Sequence, residues 1–406
     1  MRILSKRSRY AINAIQEEDA AAAVLSRSGK KIIKLNRGDP PAYFKTPEYT
    51  LKAYAKAILE GKTYYSSGVG LEELRIAVAK RYKRMYAVDV SPDDVIVTQG
   101  ISEALLFINA SLINQGDRAV IFRPYYTQYV PDLELYGGVP ILERYVESMD
   151  WSIDPDRLDR SIRKDLSRGR RPKYLILTNP NNPTGTVLSS GVLEEVVEIA
   201  NNYGMILVSD EIYDEITYNG AKFKSLSSLA KGVPHIILNG ASKGYDATGF
   251  RIGFAIVPGD DDVSDAIKSK LKDFAMVRLS ANTPAQYAMA EALNREREHG
   301  IAIRRMRKEI AERVNFAVNL LNESKYLHVV RPKGAFYLFP RFEKEELKLN
   351  DDHGFVEKLL KEEGVQITRG SGFGERNHIR IVALAPNEIL EEAILRIEKF
   401  CRRHSK

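Results

Sequence analysis

Cysteine is nearly missing from this 406-residue chain, Cys401 being the only one. A single thiol excludes any disulfide within the chain and suits a reducing, cytoplasmic compartment. No apolar run approaches the roughly 20 residues a membrane-spanning helix needs, so no membrane partner is expected. The opening MRILSKRSRY is basic and lacks the uninterrupted apolar core of a secretory signal, and reads as a solvated arm. Zinc-finger spacing and basic patches interleaved with aromatics are also lacking, so neither a bound metal nor a nucleic-acid partner is expected. The formal net charge of +7 does not change this. The basic residues alternate with acids, as in KEIAERVN and KEEL, the pattern of solvated helix faces.

With 44% hydrophobic and 28% charged residues, the chain reads as globular and long enough for two domains. From Asp94 onward, short β-branched runs alternate with segments of helical period. They are DVIVT, RAVIF, VPILERY, KYLILT, GMILVS, HIILN and RIGFAIV. Such alternation predicts an α/β fold with a mostly parallel seven-stranded sheet covered on both faces. After the PAQYAMAEALNREREHGIAIRRMRKEIAERVNFAVNLLNE segment, read as one long helix, the runs become fewer: YLHVV, GAFYLF, VQITRG and HIRIVAL. The expected division is an arm at 1–45 packed on the small domain, a large domain at 46–290 and a smaller α+β domain at 291–406.

Ligands of such folds sit beyond the carboxyl ends of the strands, and polar motifs collect there. VIVT runs into Gly100-Ile101-Ser102 and a helix, where backbone N–H groups and the positive helix end suit a phosphate. LILT leads into NPNNPTG, whose Asn182 offers an amide, and ILVS into Asp210-Glu211-Ile212-Tyr213. HIILN leads into ASKGYDATGFRIG, with Ser242 before Lys243 and Arg251 eight residues after it. A lysine amine becomes a nucleophile when its pKa is lowered, and Ser242 with the Arg251 fork would hold a phosphate beside it. The combination suggests a Schiff-base lysine for pyridoxal 5'-phosphate. Arg380 lies inside the apolar run HIRIVAL, where a buried guanidinium needs an anion.

Taken in order, GDP, TYYSSGVGLEELR, QGISEAL, NPNNPTG, SDEIYDEI, ASKGYDATGFRIG, KGAFYLFP and HIRIVAL resemble the class I/II aminotransferases of pyridoxal phosphate fold type I. RLSANTPAQ, GSGFGE and PNEILEEA are similar to archaeal alanine aminotransferase-like enzymes. The resemblance implies an internal aldimine on Lys243, which then shuttles a proton, and a pyridine nitrogen kept protonated by Asp210. It also implies that Tyr213 and Asn182 bond the phenolate oxygen, Tyr126 stacks on the ring, and Gly100, Ile101, Ser102, Ser242 and Arg251 form the phosphate cup. Tyr65 would reach the phosphate of a neighbouring subunit, making a homodimer with shared sites. Arg380 would grip the substrate carboxylate beneath the segment carrying Gly38, and Asn182-Pro183 would be cis.

Substrate choice is less determined. Arg278 falls where dicarboxylate-specific relatives place an arginine donated by the partner, and would read the distal carboxylate of glutamate. Alanine would fit beside Tyr126 and Phe336. The expected reaction moves an amino group between an L-amino acid, alanine favoured, and 2-oxoglutarate by a ping-pong scheme. Aromatic or aspartate donors, or a C–S lyase on the same scaffold, are the alternatives. A ligand-sensing regulator would need an added DNA-binding module, and the arm before Gly38 is too short to supply one.

Overall fold

The computed structural model describes residues 3–10, 14–349 and 351–406, so positions 1, 2 and 11–13 of the expected arm lie outside the described residues. The chain opens with α1 (Ala14–Arg27), β1 (Ile33–Lys34), α2 (Glu48–Leu59) and α3 (Glu72–Tyr86). Next come β2 (Val95–Thr98), α4 (Ile101–Leu112), β3 (Arg118–Arg123), α5 (Tyr129–Leu135), β4 (Val139–Val146), β5 (Ser152–Ile153) and α6 (Pro155–Leu166). They are followed by β6 (Pro172–Thr178), α7 (Ser190–Asn202), β7 (Ile206–Asp210), β8 (His235–Gly240), β9 (Gly253–Ile256), α8 (Asp262–Val277), α9 (Thr283–Asn294) and α10 (Glu296–Asn322). The remainder carries β10 (Leu327–His328), β11 (Tyr337–Leu338), β12 (Arg341–Phe342), α11 (Asp352–Glu363), β13 (Val365–Gln366), β14 (Thr368–Arg369), β15 (Ile379–Val382) and α12 (Asn387–Arg403).

The seven expected strands form one sheet, and the two-residue β5 extends it to eight in the order β2-β9-β8-β7-β6-β3-β4-β5. Only β9 and β5 run against their neighbours. Alternation along each strand divides the sheet's side chains between opposite faces. Val120, Phe122, Leu175 and Leu177 pack with Leu158, Leu193 and Val196 of α6 and α7. Ile121, Ile176 and Val208 pack on the other side with Leu105, Ile108 and Leu271 of α4 and α8. Both faces are therefore dry, as a parallel sheet requires.

Two expectations need correction. The long helix is broken at Arg295, whose φ of −93° and ψ of 61° end α9 before α10 begins. VQITRG is not one strand: β13 pairs with β1, whereas β14 joins the β11-β15-β14 sheet. Amphipathic period carries across a one-residue break, and a run of six residues cannot announce a change of sheet. Among the described residues, no helix is long and apolar enough to cross a membrane.

The loops at the carboxyl edge are held from below by a buried ionic cluster. Arg81 of α3 donates to Asp214 (2.7 Å) and Glu215 (3.0 Å), and all three side chains are nearly inaccessible. Asp214 also accepts from Asn239 at the end of β8 (2.9 Å) and from the Tyr86 hydroxyl (2.6 Å). Burial opposes the charge on Glu215, yet Arg81 and His299 outweigh it and hold the carboxyl down at about 2. Removing the one guanidinium leaves buried Asp214 with only neutral donors and Glu215 with His299. Arg81→Met should cost about 3–5 kcal/mol, measured as a lower urea midpoint at unchanged slope.

Candidate active site

A cavity of about 470 Å³ opens at the carboxyl edge of the sheet, lined by residues from the ends of β6, β7 and β8, the start of α4, and the turn after β1. Lys243 projects into it from the loop after β8. Its Nζ donates to the Gly38 carbonyl at 2.6 Å. Burial is the largest influence on this amine, and with Arg380 and Arg251 nearby it brings the pKa down to about 8 despite Asp39 and Asp210.

Asp210 ends β7, next to β8 in the sheet, and is 4% exposed. Burial pushes its carboxyl up to about 6, against the bonds it accepts from the Tyr129 hydroxyl (2.5 Å) and the Ile212 amide (3.2 Å). The carboxylate thus lies in a dry pocket where an opposite charge would be strongly held.

Arg380 sits on β15 at 1% exposure, its guanidinium over the rings of Tyr337 (4.7 Å) and Phe373 (4.6 Å). Nη1 donates to Asn182 Oδ1 (3.0 Å), Nη2 to the Asn36 carbonyl, and Nε is buried without a partner. At the opposite end, Arg251 donates to the carbonyls of Thr248 (3.0 Å) and Gln99 (3.3 Å) beside the N-terminus of α4. That end has no side-chain cap, and its N-cap is Gly100 at φ +76°. A Cβ on Gly100 would lie 2.3 Å from Arg251 Nη2, so only glycine leaves the guanidinium beside the free N–H groups of the helix.

Of the residues singled out in the sequence, Gly38, Ile101, Ser102, Tyr126, Asn182, Asp210, Tyr213, Ser242, Lys243, Arg251 and Arg380 line this one cavity. The Asn182-Pro183 bond is cis, as are Arg123-Pro124 and Asn179-Pro180. Tyr65 is 79% exposed and does not line this cavity.

Arg278 does not line it either. Its Nη2 donates to the carbonyls of Gly68 (3.1 Å) and Val97 (3.0 Å), and its Nε is 3.5 Å from Glu103 Oε2. Phe336 is fully buried behind Gly38, and it is Tyr337 that faces the ligand space.

The family model for aminotransferase class I and II matches residues 30–397. The chain belongs to that family. It is similar to the solved alanine aminotransferase of Pyrococcus furiosus, with 39% identity and a TM-score of 0.92, covering 99% of this chain and 100% of that one. Among curated relatives it is 32% identical to the aspartate aminotransferase of Bacillus subtilis over 95% of both chains. It is 34% identical to aromatic-amino-acid aminotransferase 2 of Thermococcus litoralis, over 92% of this chain and 93% of that one.

This aminotransferase therefore has the fold type I architecture and is an enzyme that depends on pyridoxal phosphate. The residues fit that group: a lowered amine for its aldehyde, a dry carboxylate for its ring nitrogen, and a helix end with an arginine for its phosphate. Several contributors escaped the sequence reading. Tyr129 reads as packing, yet its hydroxyl bonds Asp210, and the Tyr337 hydroxyl is 2.8 Å from that of Tyr213. Arg37 and Asp39 flank Gly38, and Ile15 and Gln16 of α1 complete the mouth. The GDP motif was the available signal for the pair beside Gly38; nothing in the arm marks Ile15 or Gln16.

In the cofactor-free protein, Lys243 should acylate as an amine that loses its proton near pH 8. Mass spectrometry should show its labelling rate level off above about pH 8. A rate still climbing toward about 10.4, the ordinary lysine value, would contradict the burial argument.

Proposed function

We propose that this aminotransferase moves the amino group of a small L-amino acid, alanine favoured, to 2-oxoglutarate by a ping-pong scheme. The buried Arg380 carries the reading. A guanidinium at 1% exposure with Nε unpaired calls for an anion, and the substrate α-carboxylate supplies one. Asn36 and Gly38, whose carbonyls hold Arg380 and Lys243, are separated by a single residue, so a carboxylate on the fork brings the α-carbon toward the amine.

Bound pyridoxal phosphate supplies an aldehyde for the amino group and an electron-withdrawing ring. Lys243 Nζ would take the proton from the substrate α-carbon and hold it for return. Asp210 would keep a proton at the ring nitrogen, and Tyr129 fixes that carboxylate by its hydrogen bond. Tyr126 would cover the ring, Asn182 and Tyr213 would bond its oxygen, and Gly100, Ile101, Ser102, Ser242 and Arg251 would hold the phosphate. The preference for alanine is supported by the aromatic lining from Tyr126 and Tyr337 and by the likeness to the Pyrococcus enzyme. The purified enzyme's yellow absorbance should bleach on adding alanine and return on adding 2-oxoglutarate. Persistence of the yellow form through the alanine addition would count against this donor.

We also propose a homodimer with shared sites and the division 1–45, 46–290 and 291–406. The pairing of β1 with β13 supports the packing of the arm on the last segment. For the dimer, the support is an exposed apolar patch of Tyr64, Tyr65, Met276, Val277 and Leu279. The Tyr64 segment is tied to the start of α9 by the bond from Thr283 Oγ1 to the Tyr64 carbonyl (2.8 Å). Tyr65, turned away from its own cavity, would bond the phosphate in the partner's. Tyr65→Phe should weaken cofactor binding about tenfold, the worth of one hydrogen bond to a charged group. Equal dissociation constants in the two proteins would sink the shared site.

A further inference from the structure

Among the described residues, the cavity is lined by four cationic side chains: Arg37, Lys243, Arg251 and Arg380. The preceding reading gives three of them a task, at the phosphate, the α-carboxylate and the reacting carbon. Arg37 has none. We propose that Arg37 reads the distal carboxylate of a dicarboxylic substrate, exchanging its ion pair with Asp19 for the substrate's terminal anion. This deepens the 2-oxoglutarate assignment and rests on it.

Three observations carry the inference. The first is position. Arg37 lies between Asn36, whose carbonyl accepts from Arg380 Nη2, and Gly38, whose carbonyl accepts from Lys243 Nζ. The residue between the two anchors belongs to the mouth, where a substrate side chain leaving the α-carbon would point. The second is availability. The Arg37 side chain is 68% exposed, against 1% for Arg380 as a residue, so it is the guanidinium free to turn.

The third is what Arg37 leaves behind. Its Nε (2.7 Å) and Nη2 both donate to Asp19 Oδ2. The other oxygen, Oδ1, accepts from Asn36 Nδ2 and Gln366 Nε2, each at 2.9 Å. When Arg37 departs, Asp19 keeps two amide donors, and Oδ2 at 24% side-chain exposure can be hydrated. The carboxylate is therefore not stranded, and the exchange trades one partly solvated ion pair for another. A monocarboxylic substrate offers no competing anion, so Arg37 would remain on Asp19 while alanine reacts. This lets one cavity serve a small donor and a larger acidic partner. Arg278, the earlier candidate, does not line this cavity, and its Nη2 donates to the carbonyls of Gly68 and Val97.

The test compares half-reactions of the loaded enzyme, with binding of glutarate, an inert five-carbon dicarboxylate, followed by spectral titration. In Arg37→Met, which keeps the stem, the kcat/KM ratio of glutamate to alanine should fall roughly 20-fold, mainly through the KM for glutamate. Glutarate should weaken in parallel. Arg37→Lys should recover part of the loss, because a point charge replaces the fork. Asp19→Asn should tighten glutarate by removing the competing anion. A ratio moving by less than about threefold, or glutarate binding Arg37→Met as tightly as the unmutated enzyme, would overturn the proposal in favour of a clamp between the arm and the turn. Failure of the 2-oxoglutarate assignment shows separately, as an unmutated enzyme that turns over neither glutamate nor 2-oxoglutarate. An unmutated enzyme that also fails to bind glutarate would overturn the role of Arg37 as well.

Discussion

The register between β7 and β8 is the constraint on which the site depends. Leu207, Val208, Ser209 and Asp210 stand opposite His235, Ile236, Ile237 and Leu238. Slipping one strand by a residue would turn Val208 and Ile236 out of one core and into the opposite layer, so burial on both faces locks the pairing. With the register locked, Asp210 ends its strand inside the cavity, and Lys243 enters from the loop that follows β8. Neither charge would be tolerated in the sheet itself. Both are tolerated at its edge, where Asp210 accepts from Tyr129 and Lys243 donates to Gly38.

The opposite wall is built on a different principle. The segment Asn36-Arg37-Gly38 has no regular secondary structure, yet its carbonyls engage both Arg380 on β15 and Lys243 after β8. Gly38 permits this. A Cβ there would lie 2.2 Å from the Tyr337 hydroxyl and 2.9 Å from the Phe336 ring, so a larger residue would lift the turn off the cavity. From the outer side, Asp19 of α1 holds Asn36 and Arg37, and Gln366 of β13 shares the same carboxylate. The arm, the turn and the last segment thus meet on one acidic residue. A substrate that altered the Asp19 contacts would be felt across all three.

The strand ends were legible in the sequence because burial on both faces forces continuous β-branched runs. Polar residues after such a run can only be loops at one edge, and that logic places Asp210, Lys243, Asn182 and Ser102 in one cavity. Arg380 was legible for the converse reason, as a charge where the pattern demands none. Tyr129 was not, since a tyrosine in an amphipathic helix looks alike whether or not its hydroxyl finds a carboxylate. Arg37 and Asp19 belong to the arm, and their meeting depends on α1 folding back across the mouth, which local pattern does not encode. The break at Arg295 was hidden likewise, because the apolar stripe continues through it into α10.

The charges of the cavity also bear on the two tasks proposed for Lys243, as nucleophile and then as base. Arg380 and Arg251 both depress the proton affinity of Lys243, adding to burial. An anion on either fork cancels that influence, so the amine is least basic when the site is empty and regains basicity as phosphate and carboxylate arrive. Asp39 and Asp210 act in the opposite direction at all times. On the proposed mechanism, the substrate carboxylate arriving at Arg380 would raise the proton affinity of the amine as the α-carbon comes into place. In that proposal occupancy and reactivity are coupled through charge.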